Sequence, residues 1–266
     1  MSSLKVWVQG IGLLGPGLAS WTSAQDVLRG VQAYASAPAV LPSPARLPPA
    51  ERRRAGAAVK LALAVADEAV AQAQVDPSTL ATVFTSSSGE GINCHALCET
   101  LALPAPMVSP TRFTNSVHNA AAGCWHIAVA SHASSTSLCA FDGSFGAGLI
   151  EAATSVCLSG QPMLLVASDS PYPEPLHATR ALPDHFGVAL LLTSEPGPEP
   201  VAELAITLDA SASEASSCDD PSLEALRDAI PAARALPLLS ALARTRAKQR
   251  IALDYLPHLR VQIDLA

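Results

Sequence analysis

With 266 residues, 49% of them hydrophobic and 15% charged, the chain has enough apolar mass for one sizeable core or two small ones, and disorder is excluded. A net charge of −7 argues against nucleic acid or an anionic membrane surface as a partner, and no apolar run reaches the ~18 residues needed to span a bilayer. The opening Met1-Ser2-Ser3-Leu4-Lys5 lacks the apolar stretch of a secretory signal. The expectation is a cytoplasmic protein whose six cysteines, at positions 94, 98, 124, 139, 157 and 218, are reduced and buried.

In chain order, residues 5–9 (K-V-W-V-Q) read as a short strand that breaks at Gly10. Residues 20–30 form a short helix with Ser20 or Thr22 as its cap and Gly30 as its stop. A loop rich in proline and alanine fills 35–50. The longest predicted helix covers 50–74, with Ala58, Leu61, Val65, Ala69 and Ala73 on one face. Asp76-Pro77-Ser78 ends it, and 80–85 is a strand. A turn of small residues, Ser86-Ser87-Ser88-Gly89, enters a helix over 89–103. Helices follow at 120–131 and 143–158, and strands at 136–141, 163–167 and 188–193. Asp219-Asp220-Pro221 opens a helix over about 223–247, and one alternating strand, 251–265, closes the chain. Strands that alternate with helices predict a layered α/β fold with a mostly parallel sheet.

Three clusters have chemical potential. Gly10-x-Gly12-x-x-Gly15 after a strand matches a dinucleotide fingerprint by letter. That fingerprint works only when a helix starts there to meet a pyrophosphate, and Pro16-Gly17 delay the helix to about Ser20, so no dinucleotide cofactor is expected. Cys94-His95-x-x-Cys98 lacks the second pair that zinc requires, so no metal is expected and the helix face is core or interface. Asn115-Ser116-Val117-His118-Asn119 is the densest polar cluster in an apolar region. It is either a hydrogen-bonded loop or, through His118 and Asn119, a surface that faces a partner's active site.

Residues 109–123 (S-P-T-R-F-T-N-S-V-H-N-A-A-A-G), then C-A-F-D-G-S-F-G-A-G-L-I-E-A from Cys139 and L-L-V-A-S-D ending at Asp169, resemble the stretch of a β-ketoacyl synthase (thiolase-like fold) that leads into its catalytic cysteine. V-W-V-Q-G-I-G-L-L-G-P-G, the Trp21…Leu28-Arg29-Gly30 helix, the 51–76 helix and F-G-V-A-L-L-L-T-S-E-P are similar to further family segments in the family's order. The resemblance covers residues 4–196. It implies a ketosynthase-like N-terminal domain over 1–200, with 201–266 a divergent segment packed on the same domain.

Laid on that pattern from Ser109-Pro110, the family's cysteine falls on Asp142, and anchored on Gly160 it falls on Gly143. Neither is a thiol. Asp142 then reads as an ordinary N-cap for the 143–158 helix, and Cys139 as a structural cysteine within the preceding strand. The family's catalytic histidines belong to a second half, and the segment beyond 200 offers only His258, without the glycines that surround them. The resemblance therefore implies no condensing activity for the chain alone, since a general acid–base group is worth roughly 10²–10⁴-fold and a nucleophile more.

The 116–123 and 141–152 motifs look like the short chain-length-factor proteins of bacterial aryl polyene (xanthomonadin-like) pigment clusters. That resemblance implies a heterodimer with a full-length β-ketoacyl synthase, no cofactor, and an acyl carrier protein met through the complex. The strand before Asp142, with Leu138, would pair across the interface and bury roughly 2,000 Å² or more. Phe113, Arg112, His118, Asn119, Ile92 and Leu97 become the candidates for the tunnel or the interface. Two alternatives stay open: a stand-alone acyltransferase or thioester hydrolase using Asp142, Cys139 or His118, and a homodimeric acyl-binding scaffold.

Overall fold

The computed structural model describes residues 3–87, 89–211, 214–244 and 248–266; Ser88 of the predicted turn and the end of the predicted 223–247 helix lie outside them. Eight strands form a single sheet: β1 (Leu4–Leu14), β2 (Ala81–Thr85), β3 (Ser135–Leu138), β4 (Met163–Asp169), β5 (Phe186–Thr193), β6 (Ala202–Asp209), β7 (Gln249–Leu256) and β8 (Leu259–Leu265). The helices are α1 (Trp21–Leu28), α2 (Pro49–Arg54), α3 (Ala57–Ala73), α4 (Gly91–Leu101), α5 (Pro110–Thr114), α6 (Ala120–Val129), α7 (Ser144–Ser159), α8 (Leu176–Thr179), α9 (Pro221–Ala229) and α10 (Leu236–Ala243).

The sheet runs β3-β2-β4-β5-β1-β6-β8-β7. Alternate residues of β4 face different cores. Leu164 and Val166 join α3 and α6 on one side, while Leu165 and Ala167 join α7, α1 and α10 on the other. The result is the layered α/β architecture expected, with helices on both faces of one sheet. The expected parallel pairing occurs at β3-β2 and β2-β4, and every other joint is antiparallel. The sheet is therefore mixed. Of its antiparallel pairs only β7 and β8 are joined by a tight hairpin, and the others bring together strands separated by helices or long loops.

Four predicted elements are corrected. β1 does not stop at Gly10 but continues to Leu14 past a bulge at Val8/Gly10. Gly10 and Gly12 are there because α3 lies against the strand. A Cβ on Gly12 would sit 1.9 Å from the Val65 carbonyl oxygen, and one on Gly10 would sit 2.1 Å from that of Ala69. Both glycines serve backbone packing, and no helix starts at them.

The predicted 50–74 helix is two, α2 and α3, separated at Ala55-Gly56. The cap of α3 comes from afar, because Ala58 N donates to Glu90 Oε2 at 3.3 Å. The 223–247 helix is broken at Ile230 and by the 3₁₀ turn Pro231–Ala235, which proline imposes because it offers no amide hydrogen. The closing strand is the β7–β8 hairpin with Pro257 and His258 in its turn. β6, which the sequence reading lacked, joins this hairpin to β1. The Ser20 cap of α1 is as expected, with Ser23 N donating to its Oγ at 3.1 Å.

The cysteines are free but not buried as expected. Cys94, Cys98, Cys139 and Cys157 are exposed on outward helix faces and on a turn, while Cys124 and Cys218 are half-buried. Burial pushes the Cys218 thiol up to about 12, with Glu224 adding to the rise, so it stays protonated.

Candidate functional site

The segment after β3 is a tight turn, Cys139 to Gly143, that feeds directly into the buried helix α7. Within it Phe141 is held at φ 52°, in the left-handed region that a bulky side chain seldom adopts. Strand-to-helix turns of this strained kind are where catalytic folds raise a nucleophile. Here its last three residues are Phe141, Asp142 and Gly143, and the one thiol of the turn, Cys139, stands ahead of them.

Asp142 is not the predicted helix cap. Gly143 occupies the cap position without a side-chain bond, and Ser144 Oγ closes the turn by accepting from Ala140 N at 3.1 Å. The Asp142 carboxylate turns instead to two guanidinium groups, making an ion pair with Arg180 and a second at 3.3 Å with Arg234. Charge-assisted contacts of this type outweigh a bond to an amide. The ion pairs continue. Arg234 and Arg227 each reach Asp254 at 3.1 Å, and Arg227 also binds Glu224 and Asp228, both at 2.7 Å. The hydrogen bonds from Arg227 hold the Glu224 carboxyl below its usual range.

The space in front of α7 is filled from within the chain. A Cβ on Gly143 would lie 2.2 Å from the Tyr255 carbonyl oxygen, and one on Gly146 would lie 2.6 Å from that of Asp254. The hairpin backbone thus presses on the first turn of the helix, and position 143 has no room for any side chain. His258 lies in the hairpin turn. Cys139 is just past the end of β3, not within it, and its thiol donates to the Ser87 carbonyl at 3.1 Å.

A residue that sequence reasoning missed holds this region together. Asp169 is fully buried at the end of β4 and accepts hydrogen bonds from Ser87 N and Ser87 Oγ (2.7 Å each), Ser86 Oγ (3.2 Å) and Ala232 N (2.9 Å). Burial pushes its carboxyl upward while those four bonds favour the charged form. It ties the turn after β2 to the C-terminal segment. The available signal was an acid closing a strand whose apolar run ends at Ala167.

The candidates for a tunnel or interface are not brought to one point. Phe113 is 66% exposed on α5, so it does not pack its loop onto the core. Arg112 is exposed, and its carbonyl accepts from Asn93 Nδ2 at 2.6 Å. Ile92 is 49% exposed on α4, whereas Leu97 on the same helix is buried against the body. Leu138 is half-buried against the core from β3, which with β7 forms the two edges of the sheet among the described residues. His118 and Asn119 are exposed. His118 stands between two hollows. One is a narrow apolar crevice lined by Ala58, Val59, Phe84, Glu90, Ala121 and Val117, the other an open depression beside Ser135 and Ser137 of β3. Burial raises the carboxyl pKa of Glu90 in the crevice. Among the described residues no group of three or more His, Cys, Asp or Glu is placed to hold a metal, and no helix is long and apolar enough to cross a membrane.

A sheet covered on both sides, with a strained turn opening a buried helix, is the thiolase-like architecture. The family model for the β-ketoacyl synthase N-terminal domain matches residues 20–256, so the chain belongs to the β-ketoacyl synthase family. It is similar to a chain of the ketosynthase (ApeO) in complex with its chain length factor (ApeC) from Xenorhabdus doucetiae, with 26% identity and a TM-score of 0.71 over 98% of this chain and 99% of that one. It shares the fold of the ishigamide ketosynthase/chain length factor at 14% identity and TM-score 0.71, over 98% of this chain and 99% of that chain. It also shares the fold of AntDE:AntF, a type II acyl-carrier protein in complex with its ketosynthase, at 12% identity and TM-score 0.76, over 100% and 99% of the two chains. No curated relative matches the sequence.

Proposed function

We propose that the chain is a non-catalytic, ketosynthase-like subunit, a chain length factor, that pairs with a full-length β-ketoacyl synthase and shapes the tunnel for its acyl or polyene chain. The carrying observation is the turn before α7, where a family member has Phe141-Asp142-Gly143, with Asp142 spent on Arg180 and Arg234 and Gly143 closed by Tyr255. Claisen condensation needs a nucleophile that both accepts and releases an acyl chain, and a carboxylate bound by two guanidinium groups is poorly suited to either task.

The uncovered side of the molecule supports a partner. β3 leaves one edge unpaired among the described residues, and Val117, Ile127, Phe113, Met107 and Leu101 expose apolar side chains in the segments between β2 and β3. The free thiols fit a cytoplasmic setting. The acyl carrier protein would meet this subunit within the complex, as would an aryl polyene chain.

The test has two parts. Co-expression with a full-length β-ketoacyl synthase from the same genome should give one heterodimer on size exclusion. Incubation of the isolated chain with acyl-carrier thioesters should leave its intact mass unchanged. A covalent acyl adduct on Asp142 or Cys139, abolished by substituting that residue, would overturn the reading in favour of a stand-alone acyltransferase.

A further inference from the structure

The strained residue of the turn is also a large apolar side chain left in the open. Phe141 is 60% exposed and carries a φ of 52°, a conformation that glycine would adopt freely. The Phe141 carbonyl accepts from Ser144 Oγ at 2.7 Å and Ala140 N donates to the same hydroxyl at 3.1 Å, so the turn holds the backbone, and with it the direction of the ring, in place. The ring is also held in place. The guanidinium of Arg180 lies over it at 3.7 Å from the centroid, and Arg180 is anchored to Asp142, which in turn is anchored to Arg234.

We infer that Phe141 is a preorganised aromatic anchor for a full-length β-ketoacyl synthase, inserted from the corner of the free sheet edge and set by Arg180 as a positioning residue. The inference rests on the heterodimer reading above and adds the side chain that carries its affinity. The turn lies three residues beyond the end of β3, so a partner that adds to that edge meets the ring directly. The charge beside the ring is already neutralised by Asp142, so the ring suits an apolar pocket better than an acidic one. A ring immobilised before association loses little entropy on binding, which is the property shared by aromatic residues that dominate interfaces.

The occupant is a ketosynthase on three grounds: the chain's own family, its likeness over nearly its whole length to a ketosynthase–chain length factor assembly, and the free edge beside the ring.

The experiment measures the dissociation constant of the chain with the full-length β-ketoacyl synthase from the same genome, and in parallel the melting temperature of the isolated chain. Phe141→Ala and Phe141→Gly should each weaken pairing by about 30-fold or more. Phe141→Gly should leave the melting temperature of the chain equal or higher, because glycine relieves the left-handed strain. Arg180→Gln should weaken pairing by a smaller factor of about 3–10 in the wild-type chain and by none in the Phe141→Gly background, since its effect passes through the ring. Leu158→Ala, an exposed apolar position at the far end of α7, serves as the control.

Pairing within threefold of wild type for both Phe141 variants, while Leu138→Asp abolishes it, would overturn the anchor and leave the heterodimer standing. A wild-type chain that does not pair with the ketosynthase at all would overturn both.

Discussion

Helices α3 and α4 differ in what they leave undone. α3 buries eight of its 17 residues, lies flush on β1 through Gly10 and Gly12, and has its packing completed inside the chain. α4 buries Leu97 alone among its 11 residues and leaves Ile92 and Leu101 in solvent, at 49% and 60% exposure. The two helices belong to one fold, yet α3 is a finished core element and α4 leaves apolar side chains in solvent on opposite sides of its axis. The contrast separates what this chain needs in order to fold from apolar surface that its own fold does not use.

The contrast breaks most visibly on truncation. Leu61→Ala in α3 should cost about 2–5 kcal/mol in urea denaturation, and Leu101→Ala in α4 less than about 0.5 kcal/mol. Equal losses would mean that α4 is core after all. At the sheet edge, Leu138→Asp should leave a folded chain, checked by circular dichroism, that no longer elutes with the ketosynthase, because a charge buried unpaired at an interface costs several kcal/mol. Stoichiometric co-elution would move the interface away from β3.

A subtler outcome concerns Phe113, in the same exposed excursion as α4. Phe113→Ala should lengthen and Phe113→Trp shorten the carrier-bound products of a reconstituted pair, read by mass spectrometry. An unchanged distribution with the heterodimer intact would remove Phe113 from the tunnel.

The smallest effect is one of pH. The bonds from Arg227 hold the folded-state pKa of Glu224 below its unfolded value, so their stabilisation is present above the ordinary glutamate value of 4.5 and fades as pH falls through the folded value. The melting-temperature gap between wild type and Glu224→Gln should therefore narrow as the medium is acidified below that point. A gap that does not change with pH would show that Glu224 acts by packing.

Legibility from sequence followed the range of the interactions. Ser20 capping α1, and the apolar runs of β4 and β5, are local signals and could be read directly. The break between α2 and α3 had only Gly56 as a local signal, set in a run of arginine and alanine that favours helix, while the capping carboxylate arrives from Glu90. Asp142 looked like a cap for the same reason: the two arginines that claim it come from distant segments of the chain. The hairpin hid in an alternating run whose turn, Pro257-His258, is too short to stand out. At the candidate site the missing thiol was legible from spacing, while the strain at Phe141 and the closure over Gly143 are properties of the assembled fold alone.

The contact between Gly143 and the Tyr255 carbonyl also bears on evolutionary reversibility. A ketosynthase-like site that differed only by its thiol would be one substitution away from holding one. This site is not. A cysteine at 143 would collide with backbone, and one at 142 would leave Arg180 and Arg234 without their counter-ion. A thiol at 143 would require the hairpin to be rebuilt at the same time, and one at 142 would require the arginines to change with it, so no single substitution seats a thiol here.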